Sequence, residues 1–275
     1  NTLVAYTTNK LNWDEFLLAS HEYDLKLIQR LSRDAEKVMD LIRFCFCRAD
    51  LIDTLPGQVG TWNGSNGFSS ALLYSFDHNE SYIIAGSVIT HTIVKGIGLE
   101  LDEKQTSSLD KKYSNFINST SEVSSIAKLA LAMNTGFLES NSSTTKFVRA
   151  MILLEFLAFP DKSKYQTFDK VSTQICYHIA SDYQHYLSLK KRFYELTYKK
   201  DEETQQPIGY RERIVHFGHE LEDILDNDEI KIKKLMLELQ GYIGKVIMHM
   251  IDNYKMSWDE FLKFRMQRKE KLGIK

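Results

Sequence analysis

The chain has 275 residues, 43% of them hydrophobic and 26% charged, with a formal net charge of −2. This is the composition of a folded globular protein with one large or two smaller cores, and it excludes collagen-like and low-complexity classes. It supplies no global positive field for broad nucleic-acid binding, which leaves room only for a local basic groove.

The chain begins at Asn1 rather than Met, in the strand-like run 2–7, which reads as a processed or excised fragment with an upstream domain out of view. Asn12-Trp-Asp-Glu15 has the form of a capping box, so a helix is expected to follow. A second helix is expected from about Asp24 to Arg48, where Leu27, Ile28, Leu31, Ala35, Val38, Leu41, Ile42 and Cys45 recur at three- and four-residue steps. Cys45 and Cys47 form a C-x-C without a second Cys/His pair at zinc spacing, so both read as small core residues and no metal is expected. Three cysteines in all fit a reducing, cytoplasmic setting rather than a disulfide scaffold. The sequons at Asn63, Asn79, Asn118 and Asn141 then follow from an Asn- and Ser-rich composition.

The character changes at Leu51. Pro56, Gly57, Gly60, Gly64 and Gly67 lie close together, and Ala71-Leu-Leu-Tyr-Ser-Phe76 and Ser81-Tyr-Ile-Ile-Ala85 flank a turn-like Asp77-His-Asn-Glu80. A small hairpin or sheet is expected between about Val59 and Val94. Gly57-x-x-Gly60 and Gly96-x-Gly98 lack the Lys, Ser/Thr or third Gly of a phosphate loop, so no nucleotide cofactor is read from them.

From Leu101 onward the text is helical, with segments near 103–118, 122–139, 144–158, 167–181 and 182–199. The third of these carries the stripe Phe147, Ile152, Leu153 and Phe156. Its apolar run, Met151 to Phe159, is the longest in the chain, yet Glu155 interrupts it and it falls well short of a membrane span. A last long helix is expected over 228–254, with Leu235, Leu239, Ile243, Val246, Ile247 and Met250 on a face that suits internal packing or a dimer seam. Trp13-Asp-Glu-Phe-Leu17 recurs as Trp258-Asp-Glu-Phe-Leu262, two similar helix starts rather than an architectural repeat. The organisation is thus an N-terminal helix and small β region over 1–100 and a helical domain over 101–275.

Chemistry concentrates in Tyr210-Arg-Glu-Arg-Ile-Val-His-Phe-Gly218, which follows the polar break Lys199-Lys-Asp-Glu-Glu-Thr-Gln-Gln-Pro207 and begins a new helix. Arg211 offers a permanently charged fork of donors suited to phosphate. His216 has the side chain that gives and takes protons near neutrality. Five positions apart on a straight helix is about 140° around the axis, so the two do not share a narrow face. Either an irregular first turn lets the long Arg stem reach across, or two chains pool their residues at an isologous interface.

This run resembles the signature of the HEPN superfamily: Arg, a polar residue, a short spacer and His, at the start of a late helix of a bundle. The match falls on Arg211, Glu212 and His216, with Tyr210, Ile214, Val215 and Gly218 similar to Apea-like members. Phe147-Val-Arg-Ala-Met-Ile-Leu-Leu-Glu-Phe-Leu157 resembles the family's Leu-Glu helix, which implies that Glu155 lies near the site. The resemblance spans about 122–255. It implies a mainly α fold, a homodimer and metal-independent, cofactor-free cleavage of RNA in antiviral defence or toxin-type systems. His216 would move the proton of a 2′-hydroxyl or of the leaving 5′-oxygen, and Arg211 would hold the scissile phosphate. Glu212 departs from the usual Asn, Asp, Ser or His and would repel phosphate if it pointed inward, which keeps open a non-catalytic module binding RNA, nucleotide or a partner protein. Gly218 stands where toxins silenced by nucleotidylation carry a tyrosine.

Around the motif, His219 is a second candidate proton carrier or phosphate contact, and Arg213 an ion-pairing residue. Lys190, Lys191 and Arg192 beside Phe193 and Tyr194, with Lys199 and Lys200 beside Tyr198, form a basic-aromatic pattern able to stack bases and hold backbone. The basic stretch from Arg265 to Lys271 is a weaker RNA-contact candidate. His178, His185 and His249 read as helix-face residues. The partners expected are RNA and a second copy of the chain, with an upstream sensor or regulatory partner and no membrane.

Overall fold

The computed structural model describes residues 8, 11–51, 55–56, 59, 70–85, 102–160 and 166–274. The strand-like run 2–7 and the glycines at 57, 60, 64, 67, 96 and 98 lie outside them. The fold is mainly α with one two-stranded antiparallel sheet among the described residues. It divides into two compact units, Asn1–Phe46 with Asp53–Glu100, and Cys47–Ile52 with Leu101–Lys275. No helix of the described residues is long and apolar enough to cross a membrane.

The first unit holds α1 (Trp13–Leu17), α2 (His21–Phe46), β1 (Ser70–Ser75) and β2 (Glu80–Ala85). Asn12 caps α1 by accepting from the Asp14 and Glu15 amides. The strands pair from Ser70 opposite Ala85 to Ser75 opposite Glu80, joined by a turn in which Asn79 takes φ 55°, a conformation Asn tolerates better than most residues. Trp13, Phe16, Leu27, Ile28 and Leu73 form one small core, and the Trp13 indole donates to Glu80 at 3.1 Å. Val38, part of the expected stripe of α2, is exposed instead.

The second unit contains α3 (Glu103–Asn118), α4 (Glu122–Glu139), α5 (Ser143–Ala158), α6 (Phe168–Ile179), α7 (Tyr183–Thr197), α8 (Tyr210–Phe217), α9 (Leu221–Ile224), α10 (Glu229–Asp252) and α11 (Trp258–Lys271). Side-chain caps define most starts: Asp102, Ser121, Ser142, Asp182, Asp228 and Ser257 each accept from amides of the following turn, which satisfies donors a helix leaves orphaned. α4, α5, α6 and α10 pack together around the core. Leu239, Ile243, Val246, Ile247 and Met250 of α10 are fully buried within their own chain. Of the two uses expected for this face, internal packing is the one observed, because each residue already has its apolar environment. Ile152 lies on the outer side of α5, half exposed, unlike Phe147, Leu153 and Phe156.

The segment after α2 is stitched into this unit. Gln240 donates to the Cys47 carbonyl at 2.7 Å and accepts from the Ala49 amide at 2.8 Å, while Lys146 donates to the Ala49 carbonyl at 2.7 Å. Burial pushes the Lys146 ammonium below its ordinary value, with Asp50 opposing.

The repeated pentapeptide serves one purpose twice. Trp13 and Phe16 are buried, and Trp258 stacks on the fully buried Phe261 at 5.6 Å. α11 then continues, and its basic stretch is not a solvated tail. Arg265 is buried and donates to the carbonyls of Ala158 (2.7 Å) and Leu157. Arg268 donates to the carbonyls of Tyr177 (2.7 Å) and His178 (3.4 Å). Two arginines one turn apart thereby cap the C-terminal ends of α5 and α6, where unpaired carbonyls concentrate negative charge. Both hold the fold together, and the buried Arg265 is thereby removed from the RNA-contact reading of that stretch.

Candidate active site

α8 is held at both ends. At its start, Gly209 approaches the end of α7 so closely that a Cβ there would lie 2.6 Å from the Thr197 carbonyl carbon and 2.7 Å from the Lys199 nitrogen. The amides of Ile208 and Gly209 both donate to the Lys199 carbonyl at 2.8 Å, and Lys200 and Pro207 form a β-bridge. The polar break 199–207 is thus a tight hairpin that returns the chain onto α7. At the far end Gly218 adopts φ 71°, so the amides of Gly218 and His219 turn back to the Ile214 and Arg213 carbonyls at 3.2 Å each. α9 then docks on the start of α5: Thr144 accepts from the Leu221 amide and donates to Glu222, both at 2.8 Å, and Glu222 also accepts from the Ser143 amide at 3.2 Å. Burial raises the Glu222 pKa, but these bonds outweigh it and leave the carboxyl below its ordinary range.

Within α8, Tyr210 and Ile214 face inward. The Tyr210 ring lies 6.4 Å from that of Phe147, and Ile214 is buried. Arg211 is half-buried, with its guanidinium 5.3 Å from the centre of the Phe168 ring at the start of α6, a cation–π contact that fixes its stem. Glu212 has one carboxylate oxygen buried with no hydrogen-bond partner. His216 is exposed, between Val215 at 49% and Phe217 at 58% exposure. His219 is also exposed, its Nδ1 3.4 Å from Arg213. Arg211 and His216 thus occupy opposite ends of α8: one rests on its own fold, the other stands in an exposed apolar setting.

The remaining candidates are not gathered at this point. Phe147, which meets Tyr210, precedes Glu155 by eight residues, about 12 Å along the α5 axis. Among the described residues no ion pair joins Glu155 to Arg211. Lys190 is committed to Asp169, at 2.6 Å, and to Ser172 and Thr173, both at 2.8 Å. Its hydrogen bond holds the Asp169 carboxyl below the usual range. Arg192 grips Glu238 with Nε and Nη2 at 2.8 Å each and also reaches Glu195, which raises its pKa further. Lys191 and Lys200 are exposed and Lys199 is half-buried. The sequence pattern therefore mixes two structural cations with three that remain accessible to a ligand.

A cluster that sequence reasoning passed over lies at the other end of α6. His178, 1% exposed, is sandwiched between the Nδ1 of His249 at 2.9 Å and the Nε of Arg265 at 2.8 Å. Burial first, and the positive charge of Arg265 second, hold the His178 pKa well below its ordinary value. Burial together with Arg268 brings that of His249 down to about 4. Burial alone lowers Arg265 to about 9. Nothing in the sequence marks this triad, because its members come from three helices separated by loops. Among the described residues, no group of three His, Cys, Asp or Glu side chains is placed to hold a metal ion.

No family model matches the chain, and no curated protein or solved structure matches it.

Proposed function

We propose that the helical unit is a metal-independent, HEPN-type endoribonuclease whose active site forms between two copies of the chain. The observation that carries this reading is the surroundings of His216. An exposed histidine between exposed Val215 and Phe217 suits a face that a second copy covers, whereas a solvated helix end would favour polar neighbours. Arg211 leaves the axis about 140° away from His216, so a second α8 across a twofold axis supplies what a single chain does not align.

In such a cleft one His216 takes the proton of the RNA 2′-hydroxyl. The freed oxygen attacks the adjacent phosphorus, and the 5′-oxygen leaves with the proton that the same imidazolium returns. Arg211 stabilises the charge that builds on the phosphoryl oxygens. The products are a 2′,3′-cyclic phosphate and a 5′-hydroxyl, and DNA, without the 2′-hydroxyl, is not cut. Lys191, Lys199 and Lys200 are the accessible cations for the RNA backbone. A cytoplasmic effector in antiviral defence or a toxin-type system is the matching role.

Single-stranded RNA incubated with the protein in EDTA should be cleaved, and cleavage should vanish in Arg211→Ala and in His216→Ala without loss of fold. Mixing the two inactive variants tests the shared site. About half of the randomly assorted dimers pair one of each, and these retain one Arg211 and one His216, so activity partly returns. An intramolecular site gives no return.

Glu212 favours a second reading, a module that binds RNA, nucleotide or a partner protein without cutting. Its buried, unpartnered oxygen stands one residue from Arg211. Wild type that binds RNA but leaves it intact in EDTA selects this reading.

A further inference from the structure

A cleft of about 770 Å³ opens at the C-terminal end of α6, lined by the α6–α7 junction, α10 and α11. We infer that it is a binding site for a small phosphomonoester, separate from the Arg211–His216 site and independent of the reading given to that site. Phe168, which Arg211 contacts, and His178 are ten residues apart on α6, about 15 Å along its axis.

The hydrogen bonds dictate what the cleft offers. Arginine has only donors, so Arg265 Nε–H obliges His178 Nε2 to accept. His178 then carries its proton on Nδ1 and donates to His249 Nδ1. That leaves His249 with its proton on Nε2, a donor available to the cleft. The same logic applies to His185, whose Nδ1 accepts from the Ser181 amide at 3.3 Å, which places its proton on Nε2. Lys245 is exposed and in no ion pair among the described residues. Arg268 uses Nε and Nη2 on backbone carbonyls, which leaves Nη1 uncommitted among those residues. Donors from four side chains therefore border one space, and its carboxylate, Asp252, is exposed to solvent. A dianion is the complement of such a wall.

Two further features fit a ligand with an organic part. Gly241 stands in the middle of α10, where glycine costs roughly 1 kcal/mol relative to alanine, yet a Cβ there would meet nothing within 4 Å. No packing within the described fold demands that glycine, whereas close approach of a ligand to the helix backbone does. Ile179 and Met248 add an apolar side, and the volume falls in the usual small-molecule range of about 300–1,000 Å³. Burial first, and Arg268 second, hold His249 neutral, which agrees with the proton positions its hydrogen bonds dictate.

Calorimetric titration of the full chain with inorganic phosphate and with ribose 5-phosphate, against sodium chloride at matched ionic strength, tests the site. Both phosphates are expected to bind and to compete with each other. Lys245→Ala is expected to weaken them about tenfold, the worth of one charge-assisted hydrogen bond. Gly241→Leu, which fills open space and improves helix propensity, is expected to abolish binding while melting no lower than wild type. Heats no larger than those of chloride, phosphate binding without ribose 5-phosphate binding, or equal affinity in both variants would each overturn the assignment.

Discussion

Gly209→Ala should be the most damaging small substitution in the helical unit. The added methyl would sit 2.6 Å from the Thr197 carbonyl carbon and 2.7 Å from the Lys199 nitrogen, where ordinary contact needs about 3.5 Å or more. Both neighbours are backbone, so no side chain can swing away and the hairpin must open by most of an ångström. Overpacking of this kind costs about 1–3 kcal/mol. The displacement also strains the two 2.8 Å bonds that the Ile208 and Gly209 amides make to the Lys199 carbonyl, each worth about 1 kcal/mol. A total of about 2–4 kcal/mol is expected from urea unfolding followed by circular dichroism. Gly218→Ala is the internal comparison: its Cβ meets nothing, and only φ 71° is penalised, at about 1–2 kcal/mol. Since Gly209 also fixes where α8 starts, an ångström of movement at Arg211 should cut RNA cleavage about a hundredfold. A Gly209→Ala protein within 0.5 kcal/mol of wild type, a margin typical of neutral surface changes of about that size, would refute the close approach and the rigid placement of Arg211 built on it.

Stability should fall as pH drops from about 6.5 toward 4. His178 and His249 have folded pKa values below the unfolded one, His249 about 4, so the unfolded chain binds more protons in that window and the stability present above pH 6.5 is progressively lost. Urea midpoints at pH 7 and pH 5 check this, and a flat profile would contradict a neutral His178–His249 pair. Arg265→Met should cost about 2–4 kcal/mol by chemical denaturation, since it leaves three buried acceptors, the Leu157 and Ala158 carbonyls and His178 Nε2, without their donor. Equal stability would mean that hydrophobic filling fully replaces the caps. Arg192→Ala should destabilise by about 2 kcal/mol, by removing the ion-pair partner of the half-buried Glu238 and leaving it the Tyr242 hydroxyl. Lys191→Ala should leave stability unchanged and weaken RNA binding, measured by fluorescence anisotropy at fixed salt; the reverse ranking would undo the division into structural and accessible cations.

What could be read from the sequence was local. The helices from α3 to α7 are legible because each begins at a Ser, Thr or Asp whose preference for the cap position is a property of the residue and its next three neighbours. The inward face of α10 is legible because Leu239, Ile243, Val246, Ile247 and Met250 keep one helical period. The start of α8 is legible from the polar break and Gly209. What that glycine is for is not legible, since the atoms it avoids belong to Thr197 and Lys199 across a hairpin. The fate of each cation was equally hidden. Lys190, Lys191 and Arg192 are consecutive, yet successive residues on a helix point about 100° apart, so two meet Asp169 and Glu238 while one meets solvent.

The same limit separates the two sites in this unit. Arg211 and His216 attract attention because they are close in sequence, although on α8 closeness in sequence sets them on different sides of the helix. His178, His249 and Arg265 attract none, because 71 and 87 residues separate the bonded pairs. They nonetheless form the more closely determined arrangement, in which one donor-only guanidinium fixes the proton positions of two imidazoles in turn. In the proposed ribonuclease the short motif becomes a site only with a second chain. The dispersed cluster is complete within one chain, and its chemistry follows from the direction of its hydrogen bonds. Measurements on monomer and dimer separate them: anion binding at the α6 end should be independent of protein concentration, whereas RNA cleavage through α8 should rise with the fraction of dimer.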